Sequence, residues 1–337
     1  MKLSLEKTTE KQMSNISIGG FPRLFPSANK SRGIYYYNSA RSCLYYLLKT
    51  LKPDTVLLPR YLCASFLDYA QNLDSQFEFY SIDKNFLPEI PRSSLKNRNC
   101  LIVYVNYFGV CSSQVKYVTD EFKNHKVVID NSHSYKFEAE DAIATIYSPR
   151  KFFPISEGGL LFSDVKVETC PESSVSNLDH FEGCLKGDKN LAFEKFKENE
   201  KLLGLAGPLM LGEYSYRILT TFLSEKHLLS SRAVFFAKLE DRFGAQNLLS
   251  PMGGGTSPNY PLCYPLQTSF KLDVQQLIER RVFAPTYWPN IVDDQLNEFE
   301  TGLKNQTCFL PLSNIKSHSH FKYLIDTVED ILMAGQS

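Results

Sequence analysis

The feature that most constrains the fold is a series of short apolar runs between residues 55 and 163. The candidate strands are TVLLP (55–59), FEFYSI (77–82), CLIVYVN (100–106), KVVID (126–130), AIATIYS (142–148) and GLLFS (159–163). Several are apolar throughout, which is typical of strands covered on both faces. Helix-like segments at 40–52, 62–73 and 113–124 alternate with them. The pattern predicts an α/β fold with a mainly parallel sheet.

The second half of the chain has a different texture. A polar stretch (166–189) precedes three helical patterns, NLAFEKFKENEKLLG, GPLMLGEYSYRILTTFL and LLSSRAVFFAKLEDRFG, and then a Gly- and Pro-rich loop near 250–260. From about residue 260 we expect a strand at PLCYPLQT and helices near 271–282 and 319–333, with FAPTYWPN as a loop. We therefore predict a polar leader (1–20), a large α/β domain (21–245) and a small α+β domain (246–337).

Charge and cysteine usage argue against several kinds of partner. Lysine plus arginine equals aspartate plus glutamate at 37 each, so no global basic field attracts nucleic acid or an anionic membrane. The leader lacks the apolar core of a signal peptide, and we expect a soluble, cytoplasmic protein with no membrane partner. The eight cysteines form no C-x-x-C pair, which favours buried thiols over a zinc site. No metal is predicted.

Polar side chains follow several of the predicted strands. At or just beyond the ends of these strands lie Tyr61, Asn106, the Asp130–His133 segment and the Ser148–Lys151 segment. In open α/β sheets, ligands bind beyond the carboxyl ends of the strands. These side chains are therefore expected to converge on one edge of the sheet.

Lys151 has three interpretations. It lies in YSPRKFFPISEGGLLF (147–162). The first interpretation is a surface lysine with an apolar stem, and the other two make it a reactive amine. With Ser148 it also spells S-x-x-K, the nucleophile and base motif of penicillin-binding proteins, but the companion motifs are absent and here the motif follows a strand. The third interpretation is a Schiff base with an aldehyde cofactor, because an apolar site with a neighbouring cation lowers a lysine pKa.

The remaining motifs favour the aldehyde cofactor pyridoxal 5'-phosphate. This cofactor needs a lysine, an acid for its pyridine nitrogen, a phosphate site and a group against its ring. Lys151, Asp130, the 38–42 turn with Ser148, and Tyr61 or His133 could supply them. Taken singly, Asp130 could merely cap the next segment, His133 could be structural, and Asn38 or Ser39 could be an ordinary helix cap.

Together the motifs resemble those of the DegT/StrS-type (DegT/DnrJ-like) sugar aminotransferases, pyridoxal-phosphate enzymes of fold type I. NSARSCL stands where the family has its Ser-Gly-Thr-Ala-Ala-Leu phosphate turn, VVIDNSHSY resembles its Glu-Asp-Ala-Ala-Gln segment, and YSPRKFFPISEGGLLF resembles its Ser, Lys and Gly-Gly segment. The resemblance implies Lys151 as the Schiff-base lysine and Asp130 on the pyridine nitrogen. It further implies a set of cofactor contacts, comprising Ser39, Ala40, Arg41, Tyr61, Asn106, His133 and Ser148.

The resemblance also implies an activity and an assembly. It predicts transfer of an amino group from an amino acid, usually glutamate, to a keto sugar linked to a nucleotide, in a homodimer with shared active sites. GEYSYR (212–217) corresponds to a segment that reaches the partner's phosphate site, with Ser215 in place of an asparagine. Two other interpretations stay open: a fold-type-I enzyme of another reaction type, such as a dehydratase or an amino-acid-modifying enzyme, and a non-catalytic binding protein.

Overall fold

The structure is a computed structural model, and it describes residues 33–96, 99–135, 140–170, 172–174, 177–223, 229–249, 260–315 and 317–336. The predicted leader at 1–20 and most of the predicted loop at 250–260 lie outside these residues.

The described residues form one large sheet and one small one. The strands are β1 (Ile34–Tyr37), β2 (Thr55–Pro59), β3 (Gln76–Ile82), β4 (Pro88–Glu89), β5 (Cys100–Val105), β6 (Lys126–Asp130), β7 (Ala144–Tyr147), β8 (Gly159–Phe162), β9 (Cys263–Gln267) and β10 (Thr307–Pro311). The large sheet has the order β1-β8-β7-β6-β5-β2-β3-β4. Its central pairs are parallel, whereas β8 runs antiparallel to β7 and β1. The predicted mainly parallel sheet is confirmed.

The central strands are buried on both faces. Every residue of β2, β5 and β7 is buried, which explains why these runs carry no polar alternation. The strand β1 was not predicted, because its tyrosines precede the helix-capping residues without an apolar run.

Nine α-helices are described. They are α1 (Ala40–Leu51), α2 (Ser112–Glu121), α3 (Asp179–Lys186), α4 (Lys189–Leu205), α5 (Glu213–Leu223), α6 (Ser230–Phe243), α7 (Val274–Glu279), α8 (Glu298–Gln306) and α9 (His318–Gln336). Helix α1 begins after Ser39, whose side chain accepts a hydrogen bond from the Ser42 N–H, and it ends at Lys52 in the left-handed region.

The predicted helix pattern needs correction at four places. The segment predicted as a helix over 62–73 forms two 3-10 turns, Ala64–Leu67 and Ala70–Asn72. Cys63 provides no side-chain cap there, and the Tyr69 hydroxyl instead bonds to the Leu203 carbonyl oxygen. The predicted helix starting at 207 begins only at Glu213, because Met210 forms a bridge with Tyr37 of β1. The polar stretch 166–189 contains α3, and α8 was missed altogether.

The carboxyl-terminal residues build a smaller unit beside the large sheet. Strands β9 and β10 pair antiparallel, and α8 contacts β3. Glu300 of α8 accepts hydrogen bonds from the N–H of Ile82, at 3.0 Å, and from the N–H of Asn297, at 3.0 Å. The Asn297 side chain in turn donates to the Ile82 carbonyl oxygen at 2.9 Å. One cluster of buried apolar residues runs through both the large sheet and this unit.

Candidate functional site

The candidate site lies where β5, β6 and β7 end. The three strands are neighbours and end at the same edge, with Val105 paired to Asp130 and Asp130 paired to Ile146, the residue before the end of β7. The Asn106 N–H donates to the Asp130 carbonyl oxygen at 3.0 Å. The structure thus brings together Asn106, Asp130–His133 and Ser148–Lys151, the segments that the sequence placed at one sheet edge.

Lys151 and Asp130 form the electrostatic centre of this edge. Lys151 ends a 3-10 turn that begins at Pro149. Burial lowers the pKa of Lys151 from its usual range, while the carboxylate of Asp130 opposes this shift. Burial raises the pKa of Asp130, and hydrogen bonds from Ser132 and the charge of Lys151 oppose that rise. Each group therefore stabilises the charged form of the other, and burial favours a neutral amine.

An ion pair flanks Lys151, and no local sequence pattern predicts it. Arg150 contacts Glu200 of α4 through its two terminal guanidinium nitrogens, Nη1 and Nη2, with Nη2 to Oε2 at 2.8 Å. The charge of Arg150 lowers the pKa of Lys151, whereas Glu200 raises it. Glu200 lies 49 positions from Lys151 in a helix of ordinary polar pattern, so no local signal connects the two.

One end of the site, which we call the hydroxyl end, consists of residues 38–42 and Gly158–Gly159. The Ser39 and Ser42 hydroxyl oxygens are 2.8 Å apart, and the Ser42 hydroxyl donates to Asn38 Oδ1 at 2.5 Å. The Gly158 N–H donates to the Asn38 carbonyl oxygen at 2.7 Å. Helix α1 starts at Ala40, so its positive end and its first N–H groups are available to an anion.

Two other predicted phosphate contacts behave differently. Ser148 is buried at the end of β7, the strand against which α1 packs. The Arg41 guanidinium instead pairs with Asp68 at 2.9 Å and lies 5.6 Å from the centre of the Tyr69 ring. The Arg41 Nη1 is therefore engaged with Asp68, and contact between Arg41 and a phosphate stays a prediction.

The other end, which we call the aromatic end, consists of Tyr61, Tyr107, Phe108, His133 and Trp288. The His133 ring is nearly parallel to the Trp288 ring, at 5.5 Å and 17°, and to the Phe108 ring, at 5.9 Å and 22°. The Phe108 N–H donates to His133 Nδ1 at 3.4 Å, which places the proton of the neutral ring on Nε2. Burial and the nearby Lys151 hold the pKa of His133 well below its usual range.

Tyr61 carries an unsatisfied hydroxyl in this aromatic end. Its ring lies 5.9 Å from Tyr107 in a stacked geometry and 4.7 Å from Trp288 edge-on. The hydroxyl is buried and finds no hydrogen-bond partner within the described residues. Burial raises the pKa of Tyr61, so the group stays a protonated donor.

Both the nitrogen and the oxygen of the Asn106 side-chain amide are hydrogen-bonded within the protein. Its Nδ2 donates to Asn131 Oδ1 at 2.9 Å, and its Oδ1 accepts from the Cys111 N–H at 2.9 Å. Asn106 thereby fixes the turn after β5 and the residue that follows Asp130. Contact between Asn106 and a cofactor stays a prediction.

Trp288 was missed as a site residue, although it is the single tryptophan of the chain. The sequence marked its segment only as a loop. Its backbone lies in the left-handed region, with φ at 51°, which is unusual for a bulky residue. The contacts of Trp288 with Tyr61 and His133 join the carboxyl-terminal unit to the ends of β2 and β6.

Two further findings concern partners and ions. Ser215 is fully buried within its own subunit. Across the described ranges, no helix is long and apolar enough to span a membrane, and no group of three or more His, Cys, Asp or Glu side chains could hold a metal.

Comparisons with known proteins support the fold. No protein-family model matches the chain, and no curated protein matches it by sequence. Solved structures do match: the aminotransferase TlmJ from Streptoalloteichus hindustanus has a TM-score of 0.63 and 15% identity, over 90% of this chain and 87% of that one.

Two other solved structures are also similar. The PMP form of Spr1654 from Streptococcus pneumoniae has a TM-score of 0.60 and 16% identity, over 88% of this chain and 87% of that one. PseC from Helicobacter pylori, an aminotransferase involved in the biosynthesis of pseudoaminic acid, has a TM-score of 0.55 and 16% identity, over 88% and 87%. The predicted α/β fold of the fold-type-I aminotransferases is confirmed.

Proposed function

We propose that this protein is a pyridoxal-phosphate-dependent aminotransferase that moves an amino group from glutamate to a nucleotide-linked keto sugar. The observation that carries the proposal is the position of Lys151 and the buried Asp130 at the carboxyl edge of the sheet, where the charge of each acts on the pKa of the other. A partly buried lysine with a lowered pKa is an amine that can attack an aldehyde, and the fold is one in which such lysines serve.

The residues present fit the cofactor. Lys151 would hold its aldehyde carbon, and Asp130 would face its ring nitrogen. The α1 N-terminus with Ser39 and Ser42 offers N–H and hydroxyl donors for a phosphate. The buried Tyr61 hydroxyl, which lacks a partner within the described residues, is a donor left for a bound group.

Bound pyridoxal phosphate supplies an aldehyde carbon for bonding to amines and a ring that takes up electrons from the amino acid. Lys151, when unprotonated, would be the base that removes the proton from the amino-acid Cα, and its ammonium form would be the acid that returns a proton. Asp130 would hold a proton on the ring nitrogen, and hydrogen bonds from Ser132 favour the charged form of its carboxylate. His133 is a neutral Nε2–H donor, because Nδ1 is engaged by Phe108.

The sugar acceptor and the glutamate donor have different support. The sugar acceptor is supported by the names of similar structures, which include CalS13, a sugar aminotransferase from Micromonospora echinospora, and PseC. The glutamate donor and the nucleotide link follow from the family that the sequence resembles. The existence of PLP and PMP forms of Spr1654 fits a cofactor that alternates between aldehyde and amine.

We also propose a homodimer with shared active sites, as in the family that the sequence resembles. Several large apolar side chains on α3 and α4 are exposed and could be covered by a second subunit: Leu185, Phe193, Phe196, Leu202 and Leu205. Because Ser215 is buried in its own subunit, we do not assign it to the partner's phosphate site.

The test is the absorption spectrum of the purified protein. We expect a visible band from the bound cofactor that bleaches on addition of glutamate and returns with a keto-sugar acceptor. Lys151→Ala should remove the band and lower turnover by at least about a hundredfold. Lys116→Ala, at an exposed lysine of α2, is the matched control and should change neither. A coloured protein that no amino acid bleaches would favour another reaction type instead.

A further inference from the structure

Arg232 is a buried cation that the proposed chemistry does not use. It lies in the first turn of α6 and is only 6% exposed. Its Nη1 donates to the carbonyl oxygens of Leu262, at 3.1 Å, and Pro261, at 3.4 Å. Its guanidinium carbon lies 5.1 Å from the centre of the Phe152 ring. These contacts fix the guanidinium in one place.

The charge of Arg232 has no carboxylate partner in the described part of the chain. Acceptors are found there only for Nη1, although a guanidinium carries five N–H donors. The contrast with Arg150, which is paired through both nitrogens with Glu200, is direct. Burial lowers the pKa of Arg232 to about 10, so the group stays charged at neutral pH.

The position of Arg232 in its helix adds to the cost of this charge. A cation in the first turn faces the positive end of the helix dipole. A buried charge without a counter-ion is strongly unfavourable unless something compensates for it. Polar carbonyl groups and one aromatic ring compensate only in part, so an anion that arrives with a ligand would be bound strongly.

Arg232 lies beside the candidate site. Arg232 bonds to Pro261 and Leu262, and Leu262 is in turn bonded to the site. The Leu262 N–H lies 3.0 Å from both the Phe108 and the His133 carbonyl oxygens. Phe152, which the guanidinium covers, directly follows Lys151. The charges of Arg232 and Lys151 both act on the Cys263 thiol, where each lowers a pKa that burial raises.

A second buried donor without a described partner, the Ser134 hydroxyl, lies next to the segment that Arg232 contacts. Ser134 pairs with Pro261 in an isolated bridge, and Pro261 is one of the residues that Arg232 contacts. The Ser134 hydroxyl is buried and has no hydrogen-bond partner among the residues that the structure describes. Buried polar groups are rarely left without a partner, so this second donor also indicates a ligand.

We propose that Arg232 is a substrate-binding residue that takes an oxyanion, a carboxylate or a phosphate, in the candidate active site. The identity of the substrate rests on the proposed function, whereas the binding of an anion by Arg232 does not. The flat guanidinium matches either oxyanion with two parallel hydrogen bonds. In the proposed reaction a carboxylate comes with the amino donor, and a phosphate comes with the nucleotide of the acceptor.

Trp288 fluorescence provides a measurement that needs no turnover. The chain has one tryptophan, and its ring lies 6.1 Å from Tyr287, whose pKa is affected by the charge of Arg232. The protein as purified is titrated with glutarate, an unreactive dicarboxylate, and separately with inorganic pyrophosphate. Saturable binding of glutarate assigns Arg232 to the donor, and binding of pyrophosphate assigns it to the acceptor.

Variants then test whether Arg232 is responsible. We expect Arg232→Gln to weaken binding of the preferred anion at least about tenfold, as loss of a charged bidentate contact should. Arg232→Lys, which keeps the charge but loses the planar fork, should be intermediate. Arg92→Gln changes an exposed arginine and should bind as the wild type does.

The outcomes separate this inference from the proposed function. Wild-type affinity in Arg232→Gln, or no binding of either anion, overturns the assignment. If Arg232→Gln fails to fold, Arg232→Lys decides, since an unchanged affinity in a folded Arg232→Lys overturns the proposal as well. A protein that never bleaches with glutamate but binds an anion through Arg232 would retain the anion site and lose the proposed reaction.

Discussion

The hydroxyl end and the aromatic end of the site are built in opposite ways. At the hydroxyl end, Asn38, Ser39 and Ser42 bond to one another within a single turn, and Gly159 closes against them. At the aromatic end, Tyr61, His133 and Trp288 come from three distant parts of the chain and meet only through ring contacts. The first end is fixed by local hydrogen bonds, whereas the second depends on how the carboxyl-terminal unit packs.

The largest expected effect is at the hydroxyl end, in Gly159→Ala. A Cβ there would lie 2.2 Å from the Ser39 carbonyl oxygen and 2.7 Å from the Ala40 nitrogen, so the backbone must move. We expect the free energy of unfolding to fall by about 3 kcal/mol, as in severe overpacking, and cofactor affinity to fall with it. Urea unfolding and a cofactor titration measure both.

Gly204→Ala is the matched control for that variant. Gly204 lies within α4, and its added Cβ would meet only Arg41 Nη1, at 3.9 Å. We expect unchanged stability or a gain of up to about 1 kcal/mol, because alanine favours a helix interior. Equal stability of the two variants would show that the contact between Gly159 and the 38–42 turn is not tight.

The next effect concerns the aromatic end and pH. Because the pKa of His133 is well below its usual range in the folded protein, the unfolded chain binds a proton that the folded protein excludes. Stability is therefore lost as pH falls below about 6.5, by up to about 1.4 kcal/mol per pH unit. Asp130 acts with the opposite sign, since burial raises its pKa in the folded protein.

Urea unfolding of the wild type and His133→Gln between pH 5 and pH 7.5 isolates the histidine. The variant should lose less stability on acidification than the wild type. His318→Gln, at an exposed residue at the start of α9, should keep the wild-type dependence. Parallel curves for the wild type and His133→Gln would argue against a neutral, buried His133.

The smallest effect separates capping from ligand binding at the hydroxyl end. Ser39→Ala removes the cap of α1 and should cost about 1 kcal/mol. Asp188→Ala removes the cap of α4, where the Leu191 N–H bonds to Asp188 at 3.0 Å, and should cost a similar amount. Only Ser39→Ala should weaken cofactor binding, measured by titration, and equal affinities would reduce Ser39 to a helix cap.

The same contrast explains what could be predicted from the sequence. Apolar runs such as 55–59 and 126–130 gave β2 and β6 with the observed bounds, because a strand buried on both faces leaves a continuous apolar pattern. Lys151 and Asp130 followed from the rule about strand ends. The hydroxyl end could also be predicted from the sequence, because the capping residues directly precede the helix that they cap.

What the sequence could not reveal depends on distant contacts. Nothing local connects Trp288 with His133, or Arg41 with Asp68, so the aromatic end and the pairing of that arginine became visible only in the structure. The failed helix at 62–73 has the same origin, since tertiary bonds such as that of Tyr69 to Leu203 replaced helical ones.

Glu300 bears on cooperativity. Its two carboxylate oxygens divide their hydrogen bonds between the Ile82 N–H at the end of β3 and the Asn297 N–H at the start of its own helix. Separating the two units would break the bond from the Ile82 N–H to Glu300 and the bond from the Asn297 side chain to the Ile82 carbonyl oxygen, at a cost of about 0.5 to 3 kcal/mol for each bond. The predicted boundary between residues 245 and 246 is thus bridged by polar bonds as well as apolar contacts. We expect both units to melt together, and two separate calorimetric transitions would contradict this coupling.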